Sequence, residues 1–164
     1  MTDYLLNVIG AEKNDIYFSF MVVSLTGPTS GAIFGGFFGK WIGGPTSPLA
    51  MPSMFVIGLF ALCVGLPIPF FNSLFWVVFF VWLYYFCGGF MVPILTFCMI
   101  NSVEPELKSK ANAIANLSYY VLGYFPAPVI YGCICDLSGG KTSRWGFICT
   151  FNLNWITLIL MTIA

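Results

Sequence analysis

The sequence predicts an all-helical, polytopic membrane bundle, and three observations carry that prediction. Of 164 residues, 59% are hydrophobic and only 7% are charged, against about 25% charged in a soluble domain. Mean hydropathy is +0.92. The twelve charges are confined to short stretches: Asp3, Glu12, Lys13, Asp15, Lys40, Glu104, Glu106, Lys108, Lys110, Asp136, Lys141 and Arg144. Between them lie four uncharged tracts, 16–39, 41–103, 111–135 and 145–164. A charge at the bilayer centre costs roughly 2.5–3.5 kcal/mol, so the charges mark loops and the tracts mark spans.

Each span follows from its tract. Three tracts have the length of one helix crossing a hydrocarbon core about 30 Å thick. The tract 41–103 is too long for one span and suits two. Gly65-Leu66-Pro67-Ile68-Pro69, followed by Asn72-Ser73, supplies the turn that divides it. The segment 44–53, with three prolines, is a further loop. The predicted spans are therefore 16–39, 51–70, 74–100, 111–135 and 145–164, within one transmembrane domain 1–164. Barrel strands need apolar and polar residues to alternate over about ten positions. These tracts are apolar all round.

Composition also excludes functions. Net charge is zero and no histidine is present, so the chain lacks both a basic field for nucleic acid and the commonest general base and metal ligand. No carboxylate pair, Ser/His pair or phosphate loop appears, so no enzyme, cofactor or metal is expected. The first fifteen residues carry three acids and one lysine, the wrong sign for a signal peptide. The six cysteines form no metal-ligand spacing and read as free thiols. No ionisable residue falls inside a predicted span, so no proton relay or voltage sensor is visible.

Two spans hold patterns beyond hydrophobicity. In the first, Gly27, Gly31, Gly35, Gly39 and Gly43 recur every four residues. Such spacing flattens one helix face and lets another backbone approach. The stripe reads either as a static packing seam or as a sliding seam in a moving transporter, with the fourth span as the expected partner for part of it. Thr26, Thr29 and Ser30 surround Pro28 in the same span. Pro93 with Gly88-Gly89 predicts a kink in the third span. In the fourth, Asn112, Asn116, Tyr119, Tyr120 and Gly123 share one face. Polar side chains in a span face a bundle interior or a watery cavity, so this face reads either as cavity lining or as interhelical hydrogen bonding. Pro126-Ala127-Pro128 breaks the ladder further along.

Ser24-Leu25-Thr26-Gly27-Pro28-Thr29-Ser30-Gly31, with Gly35-Gly36 and Lys40-Trp41-Ile42-Gly43-Gly44, resembles the eighth helix of a major facilitator superfamily transporter. Glu104 to Ile114 resembles the cytoplasmic loop and start of the eleventh helix. Leu122-Gly123-Tyr124-Phe125-Pro126-Ala127-Pro128-Val129-Ile130-Tyr131-Gly132, ending at Asp136, is similar to that helix in spinster-like and organic-anion-transporter-like members. The resemblance implies that the five spans correspond to helices eight to twelve, with the N-terminal half and a seventh helix lying elsewhere. It also places the loops of Lys40, Lys108 and Lys110 in the cytoplasm, which a count of basic residues leaves tied at three on each side. The family signature Gly-x-x-x-Asp-Arg-x-Gly-Arg-Arg departs here, with Lys40 at the Asp position and Trp41 at the Arg position.

The expectation is then a carrier moving a small organic or lysolipid-like solute by alternating access. The solute is expected to meet Thr26, Thr29, Asn112, Asn116, Tyr119 and Tyr120. Expected partners are the lipid bilayer, the solute and the missing N-terminal half, with no nucleic acid. The alternative is a non-transporting membrane protein, a remnant or a subunit whose glycine seam packs against a partner.

Overall fold

The computed structural model describes residues 5–6, 12–44, 47–118, 120–121, 125–137 and 148. These residues form five helices: α1 (Lys13–Trp41), α2 (Ala50–Gly65), α3 (Leu74–Asn101), α4 (Lys108–Ser118) and α5 (Pro126–Leu137). Single 3-10 turns at Ile68–Phe70 and Pro105–Leu107 precede α3 and α4. No strand occurs among the described residues. Three segments, Lys13–Trp41, Ala50–Phe70 and Leu74–Asn101, are long and apolar enough to cross a membrane.

The helix ends have local causes. Asp15 lies in the first turn of α1 and Lys40 in its last, each complementing the helix dipole. At the far end, the Gly44 amide bonds the Gly39 carbonyl at 2.9 Å and the Gly43 amide bonds the Lys40 carbonyl at 3.2 Å. Gly43 has φ +98°. This is a Schellman cap, in which the residue past the helix end turns left-handed. Gly43 is thus a terminator and not the fifth member of the packing seam, because its fourfold spacing continues past the point where the helix stops. Pro28 and Pro93 sit inside α1 and α3, and both helices run through them without interruption.

α1 and α3 lie parallel. Along their contact, Gly27 meets Trp82 and Tyr85, Gly31 meets Phe86 and Phe90, Gly35 meets Phe90, and Gly39 meets Ile94. α2 runs the other way and packs against α3: Ala50 and Met54, at its start, share a buried cluster with Ile94. The turn beyond its end places Ile68 with Val77 and Val81. The result is an up-down-up arrangement. It sets Lys40 and the Glu104–Lys110 loop at one end of the bundle and Lys13 and Asp15 at the other.

The core is divided in a way that follows from the glycines. One cluster of buried side chains, Leu5, Ile16, Val23, Ile68, Val77 and Val81, fills the end where α1 and α3 begin. A second, Ala50, Met54 and Ile94, fills the opposite end, with Phe38, Ile42 and Phe90 against it. Between them the two helices touch backbone to backbone. A Cβ at Gly31 would collide with the Phe86 carbonyl, and one at Gly35 with the Phe90 carbonyl. A Cβ at Gly89 would collide with the backbone of Pro28, so the notch is reciprocal. Glycines 27, 31, 35 and 39 are all buried. Their partner is α3, the third span, and not the fourth. Aromatic rings close the seam from outside. Phe34 pairs with Phe86 at 5.9 Å and Phe38 with Phe90 at 5.3 Å.

In the fourth tract the described helical residues are α4 and α5, of 11 and 12 residues, with Tyr120 and Val121 helical between them. Residues 119 and 122–124, which would join them into the expected span 111–135, lie outside the described residues. Pro126 and Pro128 have no amide hydrogen for the carbonyls of the preceding turn, and Pro126 opens α5, the position proline favours. Just before it, the Phe125 amide reaches back five residues to the Tyr120 carbonyl at 3.0 Å. The predicted fifth span, 145–164, lies outside the described residues apart from Ile148.

Substitutions along the seam have graded expected effects. Gly31→Leu and Gly35→Leu should each destabilise the bundle by about 1–3 kcal/mol, the typical cost of overpacking, and Gly89→Ala should follow them. Gly36→Ala, where a Cβ meets nothing within 4 Å, and Phe37→Leu, at a 67% exposed position, should be mild. Folded fraction in detergent, titrated with a denaturing detergent, ranks the five. Equal tolerance of all five would mean that the seam does not set the helix pair. Gly43→Ala should cost about 1 kcal/mol through its left-handed backbone alone, visible in the same titration.

Candidate functional site

The polar groups of α1 cluster at the start of the seam. The Thr26 hydroxyl donates to the Val22 carbonyl at 2.6 Å, and Thr29 donates to Leu25 at 2.6 Å. Ser30 donates to Thr26 at 2.6 Å, with the Gly27 carbonyl at 3.0 Å. Returning a hydroxyl to the carbonyl one turn back satisfies it within its own helix, which matters where no water is available. Thr26 keeps an acceptor free to α3: the Trp82 indole N–H donates to its hydroxyl oxygen at 2.8 Å. Trp82 stacks on Phe86 at 5.6 Å and 21°, which aims its N–H across the helix pair.

Two prolines meet this region. Pro28 has no amide hydrogen for the Ser24 carbonyl, and Pro93 has none for the Gly89 carbonyl. The Pro28 backbone is also what fills the Gly89 notch. Beside it lies a groove of about 590 Å³ lined by Pro28, Thr29, Ala32, Ile33, Gly89 and Val92. Thr29 is its hydroxyl.

The expected binding residues do not converge. Thr26 and Thr29 stand on α1, and Asn112 and Asn116 stand on α4. The Asn116 amide donates to the Asn112 side-chain oxygen at 3.4 Å. Both asparagines are exposed. Among the described residues no hydrogen bond joins the threonine pair to the asparagine pair. α4 buries none of its described residues, with Ile114 and Leu117 each 64% exposed. Tyr120 is 60% exposed, and Tyr119 lies outside the described residues.

The sequence reading missed Trp82. A tryptophan well inside a span, away from the interfacial belt where it is enriched, signals an indole N–H that needs a buried partner. It also missed a second groove, about 440 Å³, between the starting ends of α1 and α3. Its walls include Phe18 and Val22 from α1 and Phe75, Phe79 and Trp82 from α3, with Asp15 and Ser19 on its α1 edge.

The thiols stand apart from these grooves. Cys87 is buried in α3, whereas Cys63 and Cys133 are exposed, and all three are free. No group of three metal-binding side chains is found among the described residues. No family model matches the chain, and no curated protein or solved structure is significantly similar to it.

The Trp82–Thr26 bond has a measurable expectation. Thr26→Val removes the acceptor and Trp82→Phe the donor. Each should cost about 0.6 kcal/mol, the average for interhelical hydrogen bonds in membranes, and the double variant should cost less than the sum. Strict additivity in the double-mutant cycle would mean that the two side chains do not interact.

Proposed function

We propose that the chain is the membrane-spanning segment of an alternating-access carrier for a small organic or lysolipid-like solute, built like helices eight to twelve of a major facilitator transporter. The up-down-up order of α1, α2 and α3 supports this reading, as does the absence of charge within the three candidate spans beyond their end turns. The observation that carries it is the conjunction at the α1–α3 contact: an in-helix proline on each helix, a backbone notch at Gly89 and the Thr29 hydroxyl beside an apolar groove. A proline inside a span leaves one carbonyl of its own helix without an amide partner, which neighbouring groups or a solute can satisfy. On this reading Thr26 and Thr29 offer one side of the solute site. Asn112, Asn116, Tyr119 and Tyr120 offer the other once the remaining helices of the carrier are in place.

The alternative, a subunit that docks through its glycine stripe, is less well supported. Gly31 and Gly35 are spent on α3 of the same chain, which leaves no glycine groove open to a partner there.

Alternating access rocks one half of a carrier against the other, so this chain alone should bind without translocating. Proteoliposomes holding only the 164 residues should accumulate no fluorescent lysophosphatidylcholine above protein-free vesicles. Nanodiscs should bind radiolabelled lysophosphatidylcholine saturably, and the combined Thr29→Val and Asn116→Ala variant should bind it about three- to tenfold more weakly, the loss expected for about one net hydrogen bond. Non-saturable uptake matching empty discs would remove the solute-site reading. Translocation by the chain alone would remove the need for a second half.

A further inference from the structure

The second groove is built differently from the first. α1 and α3 both begin there, so its mouth lies at the end of the bundle where Asp15 and Leu74 start their helices. On α1, Asp15, Ser19 and Val22 follow one another at i, i+4 and i+7, and on α3 Phe75, Phe79 and Trp82 do the same. Both rows therefore face one trough, running roughly 10–12 Å along the helices. Val23, buried at 1% exposure, closes its floor. The volume of about 440 Å³ falls in the range of small-molecule sites. The trough is apolar along its length and polar only on one edge, at Asp15 and Ser19.

That edge has one sign of charge. Among the described residues Asp15 forms no ion pair. Lys13, two residues earlier on the same helix, is about 200° away around the axis, and α3 contributes no charge to the trough. A carboxylate that no described residue pairs, at the head of an aromatic trough, complements a ligand with a positive head and an apolar tail. Phe75, Phe79 and Trp82 add ring faces, which attract ammonium groups as well as alkyl chains. An anionic amphiphile would bring its head against Asp15.

We infer that this trough is a binding site for a single-chain cationic amphiphile, with the ammonium head at Asp15 and the alkyl chain lying between Phe75, Phe79 and Val22. The inference rests on the membrane reading only for the placement of the mouth at the bilayer surface. It concerns binding and does not depend on translocation.

The test uses the full chain in nanodiscs of zwitterionic lipid and a photoreactive alkylamine whose diazirine sits mid-chain. Crosslinks, mapped by peptide mass spectrometry, should concentrate in segments 15–23 and 74–82. Dodecyltrimethylammonium should compete for them and dodecyl sulfate should not. Asp15→Asn, at an exposed residue without an ion pair, should fold normally by circular dichroism and lower the labelling by up to about fivefold, the factor available from one partly exposed charge contact. Phe79→Trp, which fills the trough, should lower the labelling without altering the preference for a cationic competitor. Equal labelling of Asp15→Asn and the parent, equal competition by dodecyl sulfate, or crosslinks spread over all lipid-facing helices would each overturn the inference and leave the trough as a surface covered by ordinary lipid. Failure of the transport reading shows separately, in solute binding at Thr29 and Asn116.

Discussion

The rest of this structure depends on the contact between the backbones of α1 and α3. In lipid, burying an apolar side chain against another helix gains little, because the alternative neighbour is an equally apolar acyl chain. What distinguishes one helix pair from another is how closely the backbones can come. Gly31 and Gly35 admit the carbonyls of Phe86 and Phe90, and Gly89 admits the backbone of Pro28 in return. Because the approach is mutual, neither helix can rotate without bringing a Cβ into the other. The side-chain clusters then form above and below the seam, where the helices carry Val23, Val77 and Val81 at one end and Ile94 with Phe38 at the other.

The same close approach organises the polar groups. Pro28 is at once the residue that omits one hydrogen bond of the otherwise continuous α1 ladder and the one that seats in Gly89. Thr26, two positions earlier, reaches Trp82, and Thr29, one position later, faces the groove beside the notch. Hydroxyls held by their own helix can exchange that bond for one to a solute at low cost, since the competing acceptor is a backbone carbonyl already in place. A seam this tight holds α1 and α3 together as one unit, so on the carrier reading proposed above the rocking falls between this pair and other helices.

The charges along the chain located most helix ends. The expected span 16–39 is Lys13–Trp41, 74–100 is Leu74–Asn101, and the break at Gly65-Leu66-Pro67 separates α2 from the turn before α3. Insertion energetics act on local composition, so they are legible locally. Fourfold glycine spacing likewise announced a close contact. It did not announce the partner, because what enters the groove is the carbonyl of Phe86 or Phe90, and every residue has a carbonyl. Of the expected binding residues, Thr29 lines a groove and Thr26 bonds Trp82, whereas Asn112 and Asn116 sit on an exposed α4 with their amides turned to each other.

Sequence by itself pointed to a helical chain of five spans, of which three stand as helices long and apolar enough to cross a membrane, and located where those three end, since each follows from the cost of placing charge, proline or glycine at a given point in one segment. Tertiary structure decided the rest. It decided that α1 pairs with α3 in parallel and that Gly43 caps a helix instead of packing one. It also decided that Asp15 overlooks an aromatic trough built from residues sixty positions away in α3. The physical reason is that helix pairing is a competition among many apolar faces of nearly equal hydrophobicity. Backbone proximity and a few polar contacts settle that competition, and both exist only once the helices stand side by side.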